Sequence, residues 1–387
     1  MRKLAVVCVS LIFVLSFAGA GFCKFPEVVR IGHTVSLTGG ASMWGQSEAN
    51  AIDMLVNKLN NFHGGILGKH IEIVRYDNRN DAVEAVNVAR RLVGDGVVAV
   101  IGPAQSGRAI ASAPVFERAK IPMIVTTATN PFVTIDQRTE KLREFVFRPC
   151  FIDPYQGTVA ARFAADDLKA TKAAILYDVG DDYGQWLSRY FEEAFVEKGG
   201  VVVAKEAFRT EELDYRAQLG KIKEQEPDVI FIPTSQKEAA MAAKQARDLG
   251  IKAILLGTDN WGSPDLIELA GEAIDGAYFV NLTDLDDPDI QTFVREYKDI
   301  YGSDPILPNP VMGQDALLMI AEAAKIAGTF DGEALAKALA NLKDIEVTSG
   351  ILTMDPTTHN PLDKPAVIQK VDVPNKKFIF VKKYGKI

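Results

Sequence analysis

Six small groups of polar residues follow runs of Val, Ile and Leu in this sequence. They are residues 36–44; Gln105, Ser106 and Gly107; Thr126, Thr127, Ala128, Thr129 and Asn130; Asp181, Asp182 and Tyr183; Ser235 and Gln236; and Asp259, Asn260 and Trp261. Hydroxyls, aromatic rings and carboxylates dominate, and no histidine or cysteine is among them. That chemistry suits recognition of a small zwitterion. Ser106 opens an expected helix, whose free N–H groups and dipole favour an anion. The Ser106 and Thr129 hydroxyls would add hydrogen bonds to a carboxylate. Asp259 would hold an ammonium through a charge-assisted bond. Trp44, Tyr183 and Trp261 would enclose an apolar side chain. Taken singly, Ser106 also reads as a helix cap, and Thr129 and Asp259 as turn residues. The set carries the argument.

Catalytic chemistry has little support. GxSxG, HExxH and GxxxxGK[ST] are absent. The glycine-rich stretch 38–45 lacks the GxGxxG spacing of a dinucleotide site. Asp181 and Asp182 are sequence neighbours and would point in different directions. His33, His63, His70 and His359 lack metal-ligand spacing and read as surface or loop residues. No cofactor, metal or catalytic residue is expected.

The elements that position these groups alternate between strand and helix. Strands are expected at 28–35, 71–77, 97–103, 121–127, 173–178, 201–208, 228–234, 253–259 and 277–281. Between them lie helices, one starting near Gln46 with Ile52, Leu55, Val56 and Leu59 on its buried face. Asp81 with Glu84 has the form of a capping box, and Ala82, Ala85, Val86, Ala89 and Val93 form the stripe behind it. Further helices are expected at 106–118, 156–168, 185–198, 215–224, 236–249, 290–301 and 314–327. Three short strands, GILTMD, AVIQKVD and KKFIFVKK, close the chain. Continuous apolar strands separated by helices indicate parallel sheets covered on both faces, wound by right-handed crossovers. The pattern runs twice, with a break near Pro149 and Pro154, so two lobes are expected. In such sheets ligands bind beyond the carboxyl ends of the strands, where the six polar groups lie.

The chain has 387 residues, 48% hydrophobic and 24% charged, with a net charge of −8. That length suffices for two cores. An acidic balance disfavours a nucleic-acid partner. Arg2 and Lys3, the apolar run to Phe17 and the small residues Ala18 to Gly21 have the layout of a secretory signal peptide. The run is short for a transmembrane helix, so a periplasmic product is expected. Cys8 would leave with the signal. Cys23 would survive beside Cys150 where a bridge is permitted, and Phe22 before Cys23 argues against lipid attachment.

The segments IGHTVSLTGGASMWGQ, HGGILGKHIEIVRYDNRND, VVAVIGPAQSG, IPMIVTTATNP, YDVGDDYG, QARDLGIKAILLGTDNW and GILTMD, in this order, resemble the leucine/isoleucine/valine-binding proteins. These are the type I periplasmic solute-binding proteins of branched-chain amino acid ABC transporters. The resemblance spans nearly the whole chain after the signal. It implies an α/β fold of two doubly wound parallel-sheet lobes joined by a three-stranded hinge near 150–153, 281–284 and 353–356. After a signal peptide at 1–23, residues 24–152 and 283–353 would form the N-terminal lobe. Residues 153–282 and 354–387 would form the C-terminal lobe. An aromatic, Trp44, would flank the ligand. Ser106 would bind its carboxylate. Thr127 and Thr129, with the Ala128 backbone between them, would bind carboxylate and ammonium. Tyr183 would close over the ligand and Asp259 would bind the ammonium. Ser235 replaces a tyrosine, and a phenylalanine expected near Asn309 is missing, so the pocket would be larger or more polar than a leucine site. The family implies a monomer that delivers its amino acid to a membrane-embedded permease. A periplasmic sensor, or a binding protein for aromatic acids, amides or urea, would use the same fold.

Overall fold

The structure, a computed structural model, describes residues 27–385. The expected signal segment and Cys23 lie outside the described residues. β1 (Val28–Val35), α1 (Ser42–His63), β2 (His70–Asp77), α2 (Ala82–Gly94), β3 (Ala99–Ile101), α3 (Ser106–Ala119), β4 (Met123–Ile124) and β5 (Val146–Phe147) build the first sheet. Its order is β2-β1-β3-β4-β5 and every pairing is parallel. The chain then forms α4 (Asp153–Arg162), which runs into a π-helical turn, Phe163–Asp167. β6 (Lys172–Asp178), α5 (Asp182–Glu197), β7 (Val201–Phe208), α6 (Arg216–Glu224), β8 (Val229–Phe231), α7 (Gln236–Asp248), β9 (Ile254–Gly257), α8 (Pro264–Ala270) and β10 (Tyr278–Asn281) follow. After them come α9 (Gln291–Tyr301), α10 (Asn309–Ala327), α11 (Gly332–Ala340), β11 (Ile345–Val347) and β12 (Gly350–Leu352). β13 (Ala366–Asp372) and β14 (Lys377–Tyr384) then return to the second sheet, ordered β14-β13-β10-β9-β8-β6-β7.

The first sheet is packed on both faces, as its apolar strands require. One face carries Val88, Leu92, Ala109 and Phe116 from α2 and α3. The other carries Ile52 and Val56 of α1, together with Leu317 and Ile320 of α10 and Leu335 and Leu339 of α11. Those late helices therefore cover the first sheet, although the second sheet precedes them in sequence. The second sheet is covered by α4 and α5 through Val159, Phe163, Leu187 and Phe191. On its other face lie α6, α7 and α8 through Leu219, Ala243 and Leu266. Each large side chain buried in this way contributes roughly 1.5–3 kcal/mol.

Several local expectations shift. α1 begins at Ser42 rather than near Gln46. Here Gly45 lies so close to β1 that a Cβ would stand 2.0 Å from the Ser36 carbonyl oxygen. The Asp81 carboxylate accepts from the Glu84 N–H at 2.8 Å, but Glu84 turns to Asn87 instead of completing a capping box. The buried stripe of α2 is Ala85, Val88, Ala89 and Leu92, with Ala82 exposed. Regular pairing in β3 and β4 covers only part of the apolar runs. Helices α8 and α11 and strand β5 had no counterpart in the sequence reading. β13 and β14 pair antiparallel, adding a mixed edge to the second sheet.

The histidines also differ from expectation. His33 is fully buried, not a surface residue. Its Nδ1 accepts from Arg75 Nε at 2.9 Å, so Nε2 carries the proton toward Glu48 Oε1 at 3.0 Å. Burial holds its pKa below the usual value. His359 is buried as well, stacked on Phe147.

Candidate functional site

Groups that follow the strands of the two sheets reach one another, through Asn130 with Asp182 and Gln236 with Gly40. In the first lobe two loops are stitched together. Asn130 N donates to Ser106 Oγ at 3.3 Å, and Thr127 Oγ1 donates to the Ala104 carbonyl at 3.2 Å. Gly102 permits the turn into the first loop: its φ is +85°, and a Cβ would lie 2.3 Å from the Thr34 carbonyl oxygen. Ser106 is the first residue of α3, with the open N–H groups of a helix start. Trp44, in the first turn of α1, is buried.

Arg148, absent from the sequence reading, sets the orientation of the second loop. It is fully buried and donates to the carbonyls of Ala128 at 2.6 Å and Asn130 at 2.9 Å. A trans peptide points its N–H opposite to its C=O. With the Ala128 carbonyl turned to Arg148, the Thr129 N–H is directed away from the guanidinium. The Thr129 carbonyl accepts from Asp153 N at 2.9 Å, which turns the Asn130 N–H toward Ser106. The Thr129 hydroxyl is buried without a hydrogen-bond partner.

Below this loop, Glu48 braces the end of β4. It is fully buried and accepts from Thr126 Oγ1 at 2.9 Å and Asn309 Nδ2 at 3.1 Å, besides His33. Asn309 therefore ties the start of α10 to α1.

From the second lobe come Tyr183 and Asp259. Tyr183 O–H donates to Asp259 Oδ1 at 2.5 Å, and Gln156 Nε2 donates to the same oxygen at 2.8 Å. All three are buried. Burial raises the Asp259 pKa, while the bonds from Tyr183 and Gln156 pull it back. Burial, with the charges of Asp259 and Asp153, pushes the Tyr183 hydroxyl well above its usual range.

Gln156 was not anticipated, nor was Asp153 one turn earlier on α4. Asp153 is fully buried with both carboxylate oxygens unpartnered. Its pKa is pushed up to about 8, chiefly by burial, with the Thr129 hydroxyl and the Arg148 charge opposing and the Asp259 charge adding. A Pro at 154 and the IDPYQG context gave the only signal, that of a helix start.

The remaining candidates fare differently. The Ser235 hydroxyl bonds the Glu238 carboxylate of its own helix. Trp261 does not wall the cleft. It is fully buried in the second-lobe core with Leu266 and Phe279, so close under β9 that a Cβ on Gly257 would meet its ring. Asp181 and Asp182 open α5 and serve the lobe contact. Asp181 stands 4.0 Å from Arg108, and the Asp182 carbonyl accepts from Asn130 Nδ2 at 3.3 Å. Gln236 Nε2 reaches the Gly40 carbonyl at 3.5 Å. Cys150 is fully buried, and burial pushes its thiol up to about 12, which keeps it protonated.

A family model described as periplasmic binding protein matches residues 28–377. Leu/Ile/Val-binding protein homolog 1 of Brucella suis biovar 1 (strain 1330) is 30% identical over 356 residues, 92% of each chain. The leucine binding protein LivK of Thermotoga maritima MSB8 has a similar structure, with a TM-score of 0.84 and 33% identity over 92% of this chain and 98% of that one. LivJ of Streptococcus pneumoniae str. Canada MDR_19A, a branched-chain amino acid transporter substrate binding protein solved with isoleucine, gives a TM-score of 0.83. Its identity is 27%, over 93% of this chain and 99% of that one.

Proposed function

Because the chain belongs to the periplasmic binding protein family, we propose that it captures an amino acid between its lobes and hands it to an ABC permease. The observation that carries this reading is the buried Asp259, oriented by Tyr183 and Gln156 opposite a loop with an unpartnered Thr129 hydroxyl. A carboxylate needs the donors of the Ser106 and Thr129 side, and an ammonium needs the acceptor on the Asp259 side. The names of the relatives support the same class of ligand.

The amino acid first docks on the first lobe, its carboxylate on the α3 N-terminus, the Ser106 hydroxyl and the Thr129 N–H. Thr127 and the Ala128 backbone complete that side, and Trp44 flanks the side chain. Hinge closure then brings Tyr183 and Asp259 onto the ammonium. The hinge is formed by the three chain passages near 150–153, 281–284 and 353–356. Asn130, Asp182, Arg108 and Asp181 hold the closed form that the permease accepts. The protein acts as an exported monomer in the periplasm and performs no catalysis. Micromolar capture needs about 8 kcal/mol, which a paired zwitterion and an enclosed side chain supply.

The test is calorimetric titration of the mature protein, unfolded and refolded to strip carried ligand, against the twenty amino acids and their deaminated analogues. Binding of one or a few amino acids, lost in Asp259→Ala, supports the reading. Binding only of analogues that lack an ammonium moves the ligand to the carboxylic acids and removes the role of Asp259. No binding at all favours another solute or a sensing role.

A further inference from the structure

Asp153 is a buried carboxylate that makes no hydrogen bond of normal geometry, with only the Thr129 hydroxyl close enough to favour its charge as a donor. It begins α4, and its own N–H is tied to the Thr129 carbonyl. Gln156, three residues on and so on the same helix face, reaches Asp259. Asp153 thus stands where the Thr129 loop, α4 and the Asp259 turn converge. Around it the Thr129 hydroxyl and the Gln156 side-chain carbonyl are also buried and unpartnered. Among their neighbours, Arg148 is engaged with two carbonyls, Tyr183 with Asp259, and Asp259 Oδ1 with two donors.

We propose, building on the amino-acid reading above, that Asp153 is a second acceptor for the ligand ammonium, so that two carboxylates grip it and the site selects primary amines. An ammonium carries three N–H donors and no acceptor. Asp259 Oδ1 already receives two bonds, which leaves chiefly Oδ2 to such a group. Asp153 offers both of its oxygens. The charge balance agrees. Arg148 is the cation beside Asp153, and its charge acts on Asp153 while Asp259 acts against it. Burial keeps Asp153 protonated near neutral pH; a ligand ammonium beside it favours the ionised form, so that two carboxylates then face one guanidinium and one ammonium. A ligand ammonium supplies both a positive charge and N–H donors, whereas a carboxylic acid or an N-acyl amino acid lacks the charge and a betaine lacks the N–H groups. The selected class is therefore α-amino acids with an unsubstituted amine, graded by the number of N–H groups.

The experiment compares wild type, Asp153→Asn and Asp259→Asn by calorimetry. The probes are L-leucine, L-isoleucine and L-valine with their N-methyl, N,N-dimethyl and 2-hydroxy counterparts. In Asp153→Asn the amino acids are expected to bind about 10- to 150-fold more weakly, the loss for one hydrogen bond to a charged group. The 2-hydroxy acids should bind within threefold of their wild-type affinity. On wild type, affinity should fall stepwise with each N-methyl group, a readout that needs no variant. The melting temperature of ligand-free Asp153→Asn should equal or exceed that of wild type, since a buried unpaired carboxyl is removed. An equal loss for amino acids and hydroxy acids assigns Asp153 a structural part and overturns the proposal. So does unchanged amino-acid affinity in a variant that folds. If wild type itself binds none of the three amino acids but takes the hydroxy acids, the amino-acid reading fails with it. If wild type binds them and only Asp153→Asn shows no effect, the failure is confined to Asp153.

Discussion

Replacing Tyr183 with Phe removes one oxygen and leaves the buried ring in place, so it isolates a single bond. The hydroxyl donates to Asp259 at 2.5 Å, the short range of a charge-assisted O–H···O⁻ contact. A hydrogen bond to a charged group contributes about 1.5–3 kcal/mol net. In the cleft that bond holds Asp259 in the direction from which it meets the ammonium. Gln156 still holds Asp259 in the variant, because its bond to the same oxygen is independent of Tyr183. The expected result is roughly a 10- to 150-fold weaker Kd for whichever amino acid wild type binds most tightly, measured by calorimetry at pH 7. The change should appear mainly in the dissociation rate, since closure and not encounter is affected. A change of less than threefold would refute the reasoning, as it would mean that the Tyr183 to Asp259 contact has no part in the grip.

Arg148→Met should destabilise the protein by about 1–3 kcal/mol for each of the two carbonyls left unpaired, read from urea melts. It should also weaken amino-acid binding, because the Thr129 N–H loses its fixed direction. For pH, the Asp153 carboxyl lies at about 8 in the folded chain against an ordinary 3.8. Between those values the folded state keeps a proton that the unfolded state has released, so ligand-free stability should fall as pH rises from about 4 to 8. Asp259 and Asp181 are raised too, mainly by burial, and act in the same direction. His33, lowered by burial, acts oppositely, its contribution being lost as pH falls below its ordinary value. The difference between wild type and Asp153→Asn in melts at pH 5 and pH 8 cancels His33, and the variant should show the shallower slope.

Much of the fold was legible in the order of residues. The alternation of Val, Ile and Leu runs with 3.6-residue periodicity is local, and it produced both sheets and most helices. Because ligands meet open sheets at strand ends, Ser106, Thr129, Tyr183 and Asp259 could be named as candidates from position alone. Trp261 could not be judged this way. It too follows a strand, but the gap left by Gly257 draws its ring into the core. The α2 stripe was misjudged because Ala82 and Val86 fit the period nearly as well as Val88 and Leu92, and only packing against the first sheet and α3 decides which face is buried.

The tertiary structure alone decided the rest, because burial of a polar group depends on partners distant in sequence. Glu48 meets Asn309 across 261 residues and Gln156 meets Asp259 across 103. His33 looks like an exposed histidine until Arg75 and Glu48 close around it. Sequence determined which segments become strands and helices and which residues end them, through local sterics and hydrophobic period. The return of α10 and α11 to the first sheet, the aim of the Thr129 peptide set by Arg148, and the unpartnered carboxylate of Asp153 arose only when distant elements packed and excluded water from the groups between them.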